Sequence, residues 1–237
     1  MRNAIEWGNY WWEDASDYKK ERYLLVGDSV ARSFRSNLSI LSGEDIAVDC
    51  IASSSYVDDV LLEKEIELFL SFEEYYHSVA IINLGFHHGL ERSVRCNMAD
   101  RDLFRKSYLR IIRQLQKQVE RILLVSGTHH VISNRIAEMD EEINREIEAR
   151  NEVVFELSEK YHLEFIDLYH FFHERHTCFP HKDYVHFVES ADELMAGIVF
   201  YEGILKTKEN FSSLNFQKLF FNVCTDCKKK IILFGGG

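Results

Sequence analysis

Short apolar runs alternate with longer amphipathic stretches over most of the chain. Residues 22–26, 46–51, 79–84, 121–125 and 163–166 are mainly apolar runs of strand length. Such runs predict strands buried on both faces, the habit of parallel sheets. Between them the apolar positions recur at helical spacing. The pattern predicts helices over 30–41, 57–72, 102–119, 136–161 and 191–205. Val60, Leu61, Ile66, Leu68 and Phe69 fall on overlapping turns of the second, and Leu103, Tyr108, Ile111, Ile112 and Leu115 form the inner stripe of the third. Strands alternating with helices of this length imply an α/β fold, a parallel sheet with helices on both faces.

In such a sheet, ligands sit beyond the carboxyl ends of the strands. Ser29, Gly85, His87 and Thr128 each follow a predicted strand, which points to one shared site. The first of these junctions reads Gly27-Asp28-Ser29. Near the far end of the chain comes Asp183-Tyr184-Val185-His186. A serine hydroxyl is a weak nucleophile until a neighbouring base takes its proton, and an Asp–His pair can supply that base together with its orienting carboxylate. The pairing suggests acyl transfer. Ser29 also has a plainer reading as a helix N-cap.

Composition narrows the field. The 237 residues carry a formal charge of −11, which argues against binding nucleic acid or an anionic membrane. At 46% hydrophobic there is ample material for a core, and no apolar run is long enough to span a bilayer. Residues 1–12 lack the apolar core of a signal peptide. Cys50, Cys96, Cys178, Cys224 and Cys227 are odd in number and irregularly spaced, as expected of reduced thiols in the cytoplasm.

Two ends stand outside the alternation. Residues 1–20 form an aromatic-rich extension. Its Trp7, Trp11 and Trp12 are expected to pack against the domain, with stacking on sugar rings as the alternative. Residues 1–206 are read as one domain and 207–237 as a tail. A basic cluster, a four-residue apolar run and three glycines end that tail, which reads either as the start of a further nucleotide-binding unit or as a terminal edge strand.

Over residues 21–205 the chain resembles the SGNH, or GDSL-like, hydrolase family. The resemblance rests on Gly27-Asp28-Ser29 after the first strand and on Asp183-x-x-His186 before the last helix. It implies a three-layer, flavodoxin-like α/β/α sandwich with a mostly parallel five-stranded sheet. It also implies a nucleophile at Ser29, a base at His186 and an orienting acid at Asp183, with no metal or cofactor. Two middle blocks depart from the family pattern. The second reads Ala52-Ser53-Ser54-Ser55, where the donor to the oxyanion is placed at the Ser54 N–H. The third reads Gly85-Phe86-His87-His88, where an imidazole at His87 replaces the usual Asn. A Gly-x-His form resembles the branch that acts on O-acetylated polysaccharides. Ser29, Ser54 and His87 then make up the expected oxyanion hole, with Arg32, His88 and His129 as expected substrate contacts.

The implied function is a serine esterase removing small acyl groups, acetyl above all, from a carbohydrate-type alcohol. An O-acetyltransferase using the same triad is one rival. A non-catalytic carbohydrate-binding or scaffolding domain is another. His170, His173, His176, Cys178 and His181 invite a metal reading, but histidines at i, i+3 and i+6 drift around a helix and known zinc spacings are not reproduced. Cys224-x-x-Cys227 is a single pair, and no metal is expected there either.

Overall fold

A computed structural model describes residues 7–72, 74–84, 98–133 and 138–205. The sheet has six strands. They are β1 (Gly8–Trp11), β2 (Glu21–Gly27), β3 (Ile46–Ser53), β4 (His77–Asn83), β5 (Arg121–Val125) and β8 (Glu164–Ile166), in the order β1-β3-β2-β4-β5-β8. β1 is antiparallel to β3, and the other five strands run parallel. A separate two-stranded ribbon joins β6 (Val131–Ser133) to β7 (Glu138–Met139).

Alternation along each strand sorts its side chains into two cores. Tyr23 and Leu25 of β2 face one layer with Val48, Cys50, Ile81 and Val125; there they meet α1 (Ser29–Ser42), α5 (Leu168–His173) and α6 (Glu189–Ile198). Leu24 and Val26 face the other layer with Ile51, Ala80, Ile82 and Leu124. These are covered by α2 (Val60–Leu70), α3 (Met98–Leu115) and α4 (Glu141–Tyr161). Every side chain of β2 after Glu21 is buried, which is why the strand reads as an unbroken apolar run.

The helix expected over 191–205 ends as an α-helix at Ile198 and continues as a wider π-type turn over Val199–Leu205. Here Gly203 lies so close to the sheet that a Cβ would come within 2.7 Å of Leu123 Cδ1, and Arg121 donates to its carbonyl.

The aromatic extension is part of the sheet. β1 pairs Gly8 with Ser53 and Trp11 with Cys50, and Trp7 and Trp11 pack on the α1 side of the core. Trp12 stacks on Phe69 of α2, with ring centroids 4.3 Å apart. Packing against the domain is therefore what the tryptophans do, from an edge strand and the turn after it. A buried ion cluster holds this extension down. Asp49 accepts two hydrogen bonds from Arg22, at 2.8 and 2.9 Å, lies 2.8 Å from His77 Nε2, and accepts the Glu13 N–H at 2.8 Å. Residues 206–237, including Cys224 and Cys227, lie outside the described residues, as do Gly85, His87, His88 and Cys96.

Candidate active site

Ser29 is the first residue of α1, just past the end of the central strand β2, and is 8% exposed. The strand-to-helix turn is unusually tight. A Cβ on Gly27 would fall 2.2 Å from Ala31 Cβ and 2.7 Å from the Asn83 carbonyl oxygen, so only glycine lets β2 hand over to α1 beside β4. Asp28 caps the helix, its Oδ1 accepting the Val30 N–H at 2.9 Å. The plainer role for Ser29 is thus filled by its neighbour. Among the described residues, Ser29 Oγ makes no hydrogen bond. Its own N–H belongs to the first turn of α1, where N–H groups have no intrahelical acceptor and the helix dipole favours negative charge.

The Asp183–His186 segment forms a tight loop. Lys182 N–H donates to the His186 carbonyl at 2.6 Å, Val188 N–H donates to the Pro180 carbonyl at 3.1 Å, and His181 bridges Phe187 across the loop's neck. Asp183 serves two purposes inside it. Oδ1 accepts the backbone N–H groups of Val185 and His186, at 2.9 and 2.8 Å, and Oδ2 lies 2.7 Å from His186 Nδ1. Partial burial pushes the Asp183 carboxyl up, but the two N–H groups and the imidazole outweigh it, so it titrates below the ordinary carboxyl range. An ionised carboxylate only accepts, so in the neutral imidazole Nδ1 carries the proton and Nε2 presents its lone pair. That Nε2 is buried and unpartnered among the described residues, so the structure holds no Ser29–His186 hydrogen bond.

The loop is braced from the segment after β5. Val131 N–H donates to the Tyr184 carbonyl at 2.9 Å, and the His130 and Tyr184 rings stack with centroids 5.8 Å apart. Two asparagines of α4 hold this post-β5 segment in turn. The Asn144 side chain accepts from His130 N–H and donates to its carbonyl, both at 2.8 Å, and Asn151 does the same for Gly127 at 2.8 and 3.2 Å. Sequence reading passed over this pair. The available signal was two poor helix formers spaced two turns apart in a long charged helix. Asn83 was passed over too. It ends β4 next to Gly27 and donates to the Ser126 carbonyl at 2.9 Å, fastening β4 to β5.

Several expected site residues are placed differently. The Ser54 N–H donates to the Trp7 carbonyl at 3.0 Å while Ser54 Oγ accepts the Trp7 N–H at 2.8 Å. The antiparallel edge strand was not foreseen, and its ladder occupies the amide expected to serve the oxyanion. Arg32 donates to Asn9 at 2.9 Å and lies over the Trp7 ring, 4.6 Å from its centroid, so it clamps β1 to α1. Arg35 pairs with Glu13 at 3.3 Å. His129, expected at the pocket rim, is fully buried. Its ring sits 4.9 Å from His181, 6.1 Å from His173 and 6.4 Å from His176, centroid to centroid. The chain leaves the helix after His173, so the drift argued from helical spacing does not govern this cluster. Neither ring nitrogen of His129 has a partner among the described residues. Burial pushes His129 down to about 3, with neighbouring histidines adding to the shift, and burial pushes His181 down to about 4. No three His, Cys, Asp or Glu side chains among the described residues are placed to hold a metal ion. The expected donor at His87 and contact at His88 lie outside the described residues.

Solved structures with this architecture exist. A catalytic mutant of Axe2, an acetylxylan esterase from Geobacillus stearothermophilus, matches at a TM-score of 0.59 and 14% identity, over 77% of this chain and 93% of that one. The acetyl xylan esterase AlAXEase matches at 0.59 and 17% over 77% and 100%. A lipase/acylhydrolase from Enterococcus faecalis matches at 0.61 and 18% over 81% and 100%. The fold is that of the SGNH/GDSL-like hydrolases. No family model and no curated protein sequence matches the chain. The parallel strands end together, so Ser29 and the segments after β3 and β5 lie at one edge of the sheet, the position where α/β sheets bind ligands.

Proposed function

We propose that the protein is a serine esterase that hydrolyses small O-acyl esters, chiefly O-acetyl groups on a carbohydrate-type alcohol. One observation carries the reading. His186 is oriented by Asp183 with its Nε2 buried and unpartnered, while Asp28 relieves Ser29 of capping.

In this reading His186 Nε2 takes the Ser29 Oγ proton as that oxygen attacks the ester carbonyl. Asp183 holds the tautomer and stabilises the imidazolium. The oxyanion forms against the Ser29 N–H at the α1 terminus, with His87 as the further donor; the Ser54 amide, bonded to Trp7, takes no part. The imidazolium then protonates the leaving alcohol, and water releases the acyl group by the same route. Catalytic hydrogen bonds often tighten only when substrate binds, which accommodates the unmade Ser29–His186 contact. The acetyl preference draws support from the acetylxylan esterases that share the fold. The buried thiol of Cys50 is in keeping with a reducing, cytoplasmic setting. No described helix is long and apolar enough to cross a membrane.

The test is a serine-directed fluorophosphonate, followed by acetate release from an acetylated xylo-oligosaccharide. Labelling of wild type but not Ser29→Ala, together with free acetate, is the expected result. Absence of label on wild type counts against an enzyme of this kind, and transfer of acetyl to added sugar without free acetate would make it a transferase.

A further inference from the structure

Asp192 lies in the first turn of α6, which follows the loop of the base, and is 3% exposed. Its two carboxylate oxygens reach in different directions. Oδ1 is 2.7 Å from Ser33 Oγ, and Ser33 sits one turn after Ser29 on the nucleophile's helix. Oδ2 accepts from Lys182 Nζ at 3.2 Å, and the Lys182 backbone closes the base loop through its bond to the His186 carbonyl. A buried carboxylate thus joins α1, which carries Ser29, to the loop that carries His186, across 159 positions of sequence. We infer that Asp192 is a positioning residue, tying the helix of the nucleophile to the loop of the base. This inference rests on reading Ser29, His186 and Asp183 as the catalytic set.

The charges around it are few. His186 faces Asp183 within its own loop. Asp183 in turn feels His130 from the post-β5 segment and His181 from the loop's neck. Asp192 is faced by Lys182, His186 and the Ser33 hydroxyl; Glu189 and Glu193 of α6 are exposed. Burial pushes the Asp192 carboxyl up, against the pull of Ser33, Lys182 and His186. Ser33 can relay either state, because its single proton reaches Asp192 or, at 2.8 Å, the Val30 carbonyl. Lys182 is half exposed, so its ammonium meets a buried carboxylate at the protein surface rather than inside the core.

The test uses the full 237-residue chain, p-nitrophenyl acetate as substrate and a fluorophosphonate as the label. Asp192→Asn keeps the shape and removes the charge. It is expected to lower kcat at least about tenfold through misplacement of the base, with KM changed less than about twofold. Ser33→Ala and Lys182→Met each cut one tether and are expected to lower kcat in the same sense, with Lys182→Arg restoring it. The inference is overturned if Asp192→Asn keeps the wild-type kcat. It is equally overturned if Asp192→Asn only loses folded protein while folded Ser33→Ala and Lys182→Met behave as wild type. Wild type that neither labels at Ser29 nor turns over substrate overturns the catalytic reading itself, and this inference with it.

Discussion

Asp28 Oδ1 accepts the Val30 N–H at 2.9 Å, so the residue before the proposed nucleophile, and not the nucleophile, caps α1. The two roles can therefore be separated by mutation. Ser29→Ala should abolish ester hydrolysis, by a factor of at least about 10⁴, while shifting the denaturant midpoint little. Asp28→Ala should cost about 1 kcal/mol of stability through the lost cap. Matched urea melts and acetate-release assays check both, and a large stability loss in Ser29→Ala would mean the hydroxyl is structural.

Gly27→Ala tests the strand-to-helix turn. The added methyl meets Ala31 Cβ and a backbone carbonyl, neither of which is a flexible side-chain end. Overpacking of this kind costs about 1–3 kcal/mol, and relief would have to move the start of α1 and Ser29 with it. Loss of both stability and turnover is expected. A variant with wild-type melting and wild-type kcat would show that the turn has slack.

Placement of β1 over β3 is tested away from the chemistry. Ser54→Ala leaves the half-buried Trp7 N–H without its Ser54 acceptor, at a cost of about 1 kcal/mol, and Arg32→Ala loses the Trp7 cation–π contact, about 0.5–1 kcal/mol. Neither should change KM more than about twofold, since both groups are engaged within the protein. A rise of tenfold or more in KM for Arg32→Ala would return that residue to the substrate site.

Acid should weaken the fold through two sets of groups. His129 and His181 are held neutral, with pKa values pushed down to about 3 and about 4. An unfolded histidine protonates near 6.5, so the unfolded chain binds more protons below that pH. Their stabilising contribution is present above about pH 6.5 and lost as pH falls towards 4, at about 1.4 kcal/mol per pH unit per residue. Asp49 works lower down. Burial pushes its carboxyl up, but His77 and Arg22 outweigh that and hold it below the ordinary range. Its contribution is present above the ordinary carboxyl pKa and lost as pH falls through the depressed value. Chemical denaturation between pH 7 and 4 should therefore show a falling stability that His129→Phe flattens. Asp49→Asn should cost about 3–5 kcal/mol at pH 7, since it leaves Arg22 buried without its charge partner.

The five parallel strands and their flanking helices were legible in the chain because burial on both faces leaves an unbroken apolar run and an amphipathic helix leaves a stripe. Both are local patterns, written within a dozen residues. Gly27-Asp28-Ser29 and the Asp183–His186 loop were legible for the same reason: their capping and orienting bonds span three residues or fewer. What the fold alone decided lies in contacts between distant segments. The pairing of Trp7 with Ser54 removed an expected donor, burial of His129 among three other histidines removed an expected rim residue, and Ser33 met Asp192 across the length of the domain. A backbone amide or a carboxylate looks the same in sequence whatever it bonds to. Which partner satisfies it is settled only when the sheet and its layers bring remote groups within hydrogen-bond reach.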